Sequence, residues 1–333
     1  MGGIMTSQTP QTQIDTRLKL LSHSSVTLLH TCPRKYELNK TLPSLEREES
    51  IHLYFGAAFG AGVQEYMVSR DLTKAYIAAF INWTGDIEYE EAATPDKSLW
   101  HCLLAIEHFA TKLAELSLGE YEVVYYNSKP AIELGFRITL PNGYYYRGYL
   151  DALLQHRITG HILAVDFKTT GAKYSNPAKY QNSPQVMGYS VVVDKVLPDT
   201  QNFEVMYFEY MTGLRKFVEH SFVVGYVQRA RWLKYLLGDI KAIDMFAMLS
   251  TLDEGFPMYG ESCTQFGSKT CPHIDYCTLS NTSLGIVPVY IDGKEYEAEQ
   301  AIKHGRQYQG QYDIEVTLDE LIQSQLEIGR AHV

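Results

Sequence analysis

Residues Ile162–Lys168 read Ile-Leu-Ala-Val-Asp-Phe-Lys, an apolar run carrying one acid and one lysine. A chain in strand conformation sends successive side chains to opposite faces. Ala164, Asp166 and Lys168 then share one face, and Leu163, Val165 and Phe167 share the other. The acid and the lysine are neighbours aimed at one point. Upstream, Gly148-Tyr149-Leu150-Asp151 places a further acid on a second strand. A lone Asp-x-Lys usually marks a charge pair on a solvated strand. Both strands are otherwise apolar, and a buried carboxylate is costly unless it is paired or metal-bound. A hard cation such as Mg²⁺ takes carboxylate oxygens and keeps waters for chemistry. A lysine beside it can orient or deprotonate a water, or offset charge developing on a phosphate. Two acids and a lysine on neighbouring strands therefore suit metal-dependent phosphodiester hydrolysis.

The pattern along the chain sets these strands in an α/β order. Ser24-Ser25 before Val26 reads as a helix cap and first turn. Cys32-Pro33 interrupts that helix, and Arg34–Leu38 continues it. Phe55–Val68, Lys74–Trp83 and Leu99–Leu118 read as helices. Glu122–Tyr126, Ala131–Leu140, Tyr144–His156 and His161–Lys168 read as strands, with Pro141-Asn142-Gly143 as a hairpin turn. Ser183-Pro184 fits a cap followed by proline in the first turn of a helix running to about Lys195. Phe203–Tyr210 and Arg215–Val224 read as two more strands, and Tyr226–Ser250 as a long helix. Gln185 and Tyr189 are four residues apart on the helix after Ser183, so they share a face. By itself this is an ordinary polar–aromatic pair.

In this order, Gly-x-x-Asp at 148–151, Asp-x-Lys-Thr at 166–169 and Gln-x-x-x-Tyr at 185–189 resemble the PD-(D/E)XK nuclease superfamily in its RecB-like branch. Similar proteins include AddB, CRISPR-associated RecB-like exonucleases and phage homologues. The resemblance covers roughly Ser22 to Cys277. It implies a PD-(D/E)XK core, a mixed central sheet flanked by helices, with a helical N-terminal layer and a Cys-containing C-terminal region. It implies that Asp151 and Asp166 hold Mg²⁺ or Mn²⁺, that Glu133 is the acid one strand earlier, and that Lys168 assists the attacking water or the transition state. Gln185 and Tyr189 would approach the site from the helix. The expected activity is hydrolysis of DNA from ends or single strands, in recombination or repair and in a phage-like context. A catalytically silent DNA-binding scaffold and a site-specific endonuclease are the competing readings. One element departs from the pattern. Members of the branch often carry a histidine in a segment like Phe-Gly-x-x-Phe-His, whereas here Phe55-Gly56-Ala57-Ala58-Phe59 is followed by Gly60. Gln64, one turn on, is placed to take a polar role.

The cysteines are Cys32, Cys102, Cys263, Cys271 and Cys277. Cys102 lies on the apolar pattern of a helix and reads as core. The other four, one early and three clustered late, resemble the set that ligates a four-iron–four-sulfur cluster in AddB and the CRISPR-associated exonucleases. Seven residues separate Cys263 from Cys271, where those proteins usually have two. Zinc held by four cysteines, or by three with His273, is the alternative. Unrelated thiols are the bland one.

The net charge of −10 weighs mildly against nucleic acid, because phosphate contacts need cations. Charge is uneven, however. From Asp166 to Lys234 there are nine Lys/Arg and six Asp/Glu, a local balance of +3. The acidity lies elsewhere, notably at Asp86, Glu88, Glu90 and Glu91. No apolar stretch approaches the ~20 residues of a membrane span. The polar first twenty residues lack a signal-peptide core, so an intracellular, cytoplasmic protein is expected. Residues 1–15 are expected to be disordered and 16–280 to form the nuclease domain. Residues 281–333 form an extension with a hairpin at Val287–Ala298 and a capping box at Thr317–Glu320. That tail is a candidate docking arm for a protein partner.

Overall fold

Local signals place the first helices. After a short strand β1 (Leu20–Ser22), a reciprocal cap between Ser22 and Ser25 opens α1 (His23–Thr31). The cap is therefore Ser22, two residues before the serine pair that the sequence suggests. Cys32 is extended, with φ −160°, and Pro33 opens α2 (Pro33–Thr41). Proline suits that position because the first helical N–H would lack a partner in any case.

The computed structural model describes residues 14–42, 51–83, 95–116, 118–181, 183–198, 200, 203–249, 255–264, 270–274, 277, 289–291, 294–296 and 312–330. The chain divides into two compact units. The first holds Met1–Leu45, Asn142–Tyr145 and Lys234–Tyr308, and the second holds Glu46–Pro141, Tyr146–Leu233 and Gln309–Val333. Most of the expected disordered start, 1–13, lies outside the described residues, while Asp15 accepts the Arg17 N–H at 2.9 Å.

The second unit begins with α3 (Ile51–Ser69), α4 (Leu72–Asn82, capped by Asp71) and α5 (Leu99–Glu115, capped by Ser98). Then come β2 (Tyr121–Val123), the small hairpin β3 (Tyr125–Tyr126) and β4 (Lys129–Pro130), β5 (Ile132–Thr139), β6 (Tyr145–His156) and β7 (Ile162–Thr170). Two helices follow, α6 (Ala178–Gln181) and α7 (Pro184–Val196), then β8 (Phe203–Met211) and β9 (Lys216–Val224). The helix α8 (Tyr226–Leu249) starts in this unit and continues into the other. At 141–143 the chain turns with Asn142 at φ 58° and Gly143 at φ 74°, the left-handed pair that a tight hairpin turn requires.

Within the part that the sequence sets apart as a tail, Ile314–Thr317 belongs to the sheet. Here β12 (Ile314–Thr317) pairs parallel with β5, Ile314 opposite Phe136, and follows a separate hairpin of β10 (Val289–Ile291) and β11 (Lys294–Tyr296). The turn of that hairpin, 292–293, lies outside the described residues. The helix α9 (Leu318–Arg330) opens on the expected box, with the Glu320 carboxylate accepting the Thr317 N–H at 2.6 Å and the Thr317 hydroxyl accepting the Glu320 N–H at 3.2 Å.

The sheet runs β12-β5-β6-β7-β8-β9, with β2 antiparallel to β6. It is mixed: β7/β8 and β12/β5 are parallel, and β6/β7 and β8/β9 are antiparallel. Helices α3, α4 and α5 share an apolar core with one face, built on Phe55, Phe59, Phe109, Val165, Phe208 and Tyr210. Phe109 meets Phe167 edge-on at 5.4 Å. Burying each such ring contributes about 1.5–3 kcal/mol. Helix α7 comes close to the sheet at Gly188, where an added Cβ would sit 2.6 Å from the Phe136 ring. The result is a mixed α/β fold, a central mixed sheet flanked by helices. Among the described residues no helix is long and apolar enough to cross a membrane.

Candidate active site

Register brings the two acids together. Ala152 lies opposite Val165, so one step further along this antiparallel pair Asp151 stands beside Asp166. The Asp151 Oδ2 accepts the Phe167 N–H at 2.8 Å, which ties the two strands at this point. Asp166 is completely buried. Its Oδ2 accepts three hydrogen bonds: from the Tyr189 hydroxyl at 2.6 Å, from Lys168 Nζ at 3.0 Å and from Gln185 Nε2 at 3.1 Å. Lys168 Nζ also lies 2.6 Å from Oδ1, yet Oδ1 accepts no directed hydrogen bond. The lysine side chain is about one-third exposed, so it is the face of this cluster that solvent reaches.

The helix supplies its two residues through local geometry. The Ser183 hydroxyl accepts the Gln185 N–H at 3.3 Å and starts α7 beneath the strand ends. Gln185 and Tyr189 then follow one turn apart, and Gln185 Nε2 donates to the Tyr189 oxygen at 2.8 Å. The pair that the sequence places on one helix face thus converges on Asp166.

Electrostatics follow from burial and from two acids on neighbouring strands. Burial and the neighbouring Asp166 push the Asp151 carboxyl well above the ordinary carboxylate range. Burial alone would lower the Lys168 ammonium, but Asp166 and Asp151 outweigh it and hold the amine above its usual value. Burial and the same two acids raise the Tyr189 phenol, so it remains a hydroxyl donor.

Glu133 reaches the cluster from β5. It adds to the negative potential on both Asp151 and Lys168. Its backbone sits at φ 50°, a left-handed conformation that is uncommon outside glycine and recurs at functional sites. Its carboxylate accepts a hydrogen bond from Gln64 Nε2 at 2.6 Å. Gln64, on α3, thus touches Glu133 from the helix in which Gly60 follows Phe59.

One neighbouring network has no signal in the sequence. Glu209 is buried and lies opposite Lys168 in the parallel register of β7 and β8. It accepts hydrogen bonds from the Tyr180 hydroxyl at 2.5 Å and from the Ser175 hydroxyl, and His220 Nε2 lies 2.6 Å from that serine oxygen. Only strand register puts Glu209 there.

Whether the acids suit a metal can be judged from their atoms. Among the described residues no group of three His, Cys, Asp or Glu side chains is disposed to hold an ion. Mg²⁺ is commonly bound by one or two carboxylates, with waters and substrate phosphate completing its shell. Asp151 and Asp166 supply two such carboxylates; Asp166 Oδ1 accepts no directed hydrogen bond but has Lys168 Nζ 2.6 Å away, so an ion there would share that oxygen with the lysine.

The remaining expected ligands, Cys32, Cys263, Cys271 and Cys277, all fall in the first unit. Three segments meet there. The Arg34 N–H donates to the Pro257 carbonyl at 3.0 Å, the Ser262 hydroxyl donates to the Thr31 carbonyl at 2.8 Å, and His273 Nε2 lies 2.9 Å from Asn39 Oδ1. The Cys271 N–H donates to the Cys263 carbonyl at 2.8 Å, beside an isolated bridge between Thr264 and Thr270. Burial raises the Cys277 thiol; Arg34 opposes the rise, while Cys271, Cys32 and Cys263 add to it. The four sulfurs therefore share a neighbourhood without forming a ligating cluster. Cys102 is fully buried on α5 and its thiol is pushed up to about 12 by burial, which fits the core role that its position predicts.

A family model described as the PD-(D/E)XK nuclease superfamily matches residues 20–278, a span that contains Gln64 and all ten expected site residues. Among solved structures, one described as a "Putative exonuclease" from Eubacterium rectale is 13% identical, covering 87% of this chain and 97% of that chain with a TM-score of 0.44. No curated protein matches. The family match extends over most of the chain, and on it the protein belongs to the PD-(D/E)XK nuclease superfamily.

Proposed function

We propose that this nuclease is a metal-dependent deoxyribonuclease of the RecB-like branch that degrades DNA from ends or single strands, in recombination or repair. The observation that carries the reading is the fully buried Asp166, on which Lys168, Gln185 and Tyr189 converge beside Asp151. Nothing in a purely structural role requires a buried acid with so many donors next to a second acid.

Asp151 and Asp166 would hold Mg²⁺ or Mn²⁺. When bound, such an ion stabilises charge on the phosphate and lowers the pKa of its water. The chain's own groups support the other tasks. Asp166 and Asp151 favour the charged Lys168 ammonium, which suits it to offset negative charge on the phosphoryl oxygens. Tyr189 and Gln185 fix the orientation of the Asp166 carboxylate. Gln64 holds Glu133, which adds negative potential at the site.

A second metal assignment rests on the first unit. Cys32, Cys263, Cys271 and Cys277 would bind a four-iron–four-sulfur cluster, with zinc as the alternative, and the support is their shared neighbourhood.

The test is cleavage of end-labelled linear DNA and of closed circular DNA, with Mg²⁺ and with chelator. Linear strands are degraded with Mg²⁺ only, and circles survive. Cut circles would make the protein an endonuclease. Binding without any cleavage would leave a silent DNA-binding scaffold.

A further inference from the structure

A cavity of about 290 Å³ opens in the second unit, lined by Tyr126, Asn127, Lys129, Leu134, Tyr312 and Asp313. It shares a strand with an acid of the candidate site, since Leu134 directly follows Glu133 on β5. Its outer wall is the β3–β4 hairpin, whose turn residues Asn127 and Ser128 have φ 50° and 64°. Such a turn usually takes glycine at its second position. Ser128 keeps the left-handed conformation at some strain, and the turn sets the exposed Asn127 amide and Lys129 ammonium at the rim. The opposite wall comes from the segment entering β12. Asp313 is anchored there by exchange with Gly135: its N–H donates to the Gly135 carbonyl at 2.9 Å, and its Oδ2 accepts the Gly135 N–H at 3.0 Å. Lys129 Nζ lies 3.4 Å from Asp313 Oδ1. Tyr312 is held by Arg147, which donates to its hydroxyl at 3.2 Å, and by the Arg137 guanidinium 5.3 Å from its ring centre. Tyr312 and Asp313 lie beyond the matched family span, while the other four lining residues lie within it.

The chemistry of the lining selects among ligands. Two tyrosine rings offer flat walls. An amide and a fixed carboxylate offer acceptors and donors for the edge of a planar heterocycle. Lys129, paired with Asp313, is the cation of the lining; behind Tyr312, Arg147 is bonded to the phenol and Arg137 is paired with Glu315 at 2.6 Å. Sequence-tolerant recognition of single strands uses this combination, aromatic side chains under the bases and cations along the backbone. A base stacked and paired in a duplex cannot place its edge between these walls unless it leaves its stack.

We propose that the cavity receives one unpaired nucleobase of the substrate strand and that it confers a preference for single-stranded DNA. The proposal rests on the nuclease reading for its orientation, but its test does not need cleavage. The probe is a fluorescein-labelled single-stranded oligonucleotide bound in chelator and followed by anisotropy. Tyr312→Ala weakens binding roughly tenfold, whereas Tyr312→Phe, which keeps the ring, binds nearly as the parent does. A set of oligonucleotides carrying one abasic site at successive positions, bound to the unaltered protein, shows one position with a comparable loss. Tyr312→Ala does not discriminate between that abasic strand and the intact one. Equal binding of the intact strand by Tyr312→Ala and the parent overturns the proposal. So does an abasic series without a weak position, which holds even where the alanine variant fails to fold. If the abasic position is found but no metal supports cleavage, the pocket stands and the nuclease reading falls.

Discussion

Two regions of this protein gather chemistry-bearing side chains, and they do so by different means. At Asp166 the residues stand on adjacent strands and a capped helix, held by sheet register and by direct hydrogen bonds of 2.6–3.1 Å. Around the cysteines, a helix start and two late segments are tied by a few backbone and side-chain contacts, such as Arg34 to Pro257 and Cys271 to Cys263. The first arrangement is complete in its protein partners: the buried carboxylate already has its lysine, amide and phenol. The second brings the thiols into one neighbourhood, with the Cys263 thiol 4.0 Å from the Tyr259 carbonyl. Sheet register therefore preorganises the first site, while the second is the kind of site that a bound centre would organise.

The largest expected effect breaks the first region alone. Lys168→Ala should lower kcat on linear DNA by roughly 100- to 1000-fold while circular dichroism stays that of the parent, since the lysine offsets charge that develops in the transition state. A variant that cleaves at the parent's rate would remove Lys168 from the site.

The converse experiment breaks the second region. Anaerobically prepared protein should contain about four irons per chain. Their removal should speed hydrogen exchange in α2 and in 257–274 while β7 and β8 stay protected. Stoichiometric zinc would replace the cluster but keep the contrast. Protein without metal, and with exchange unchanged by Cys271→Ser, would end it.

A smaller effect sharpens the contrast. Gln185 touches Asp166 rather than any reacting atom, so Gln185→Ala should weaken apparent Mg²⁺ affinity roughly 10- to 100-fold. The Mg²⁺ dependence of rate shifts, and saturating Mg²⁺ restores much of kcat. Loss of kcat at unchanged Mg²⁺ dependence would assign Gln185 to substrate instead.

The smallest effect concerns stability. Burial and Asp166 raise the Asp151 carboxyl in the folded protein. A raised acid contributes stability that is full below its unfolded pKa and is lost as pH rises through the folded value. In chelator, the parent should therefore lose stability with rising pH from the ordinary carboxylate range up to that raised value. Asp151→Asn should flatten the loss and stabilise the protein by on the order of 1 kcal/mol at neutral pH, while abolishing cleavage. Thermal unfolding against pH checks this, and an asparagine variant less stable than the parent at neutral pH contradicts it.

Much of the fold and of the first site can be read in the chain alone, because the signals are local. The alternation of Ile162–Lys168 sets Asp166 and Lys168 on one face. Ser183-Pro184 starts a helix, and four residues later Tyr189 must share a face with Gln185. Pro33 divides the first two helices whatever surrounds it. The order of these elements separates an α/β sheet from an all-helical chain. Tertiary structure decided what depends on partners distant in sequence. Strand pairing put Asp151 beside Asp166 and Glu209 beside Lys168, and the approach of α3 gave Glu133 its Gln64 contact. A parallel pairing with β5 made a strand of Ile314–Thr317 and turned an unassigned tail into a wall of the cavity. Local sequence restricts each residue's backbone and face. Which face meets which follows from burying the apolar sides of all elements at once, and no short stretch of the chain contains that information.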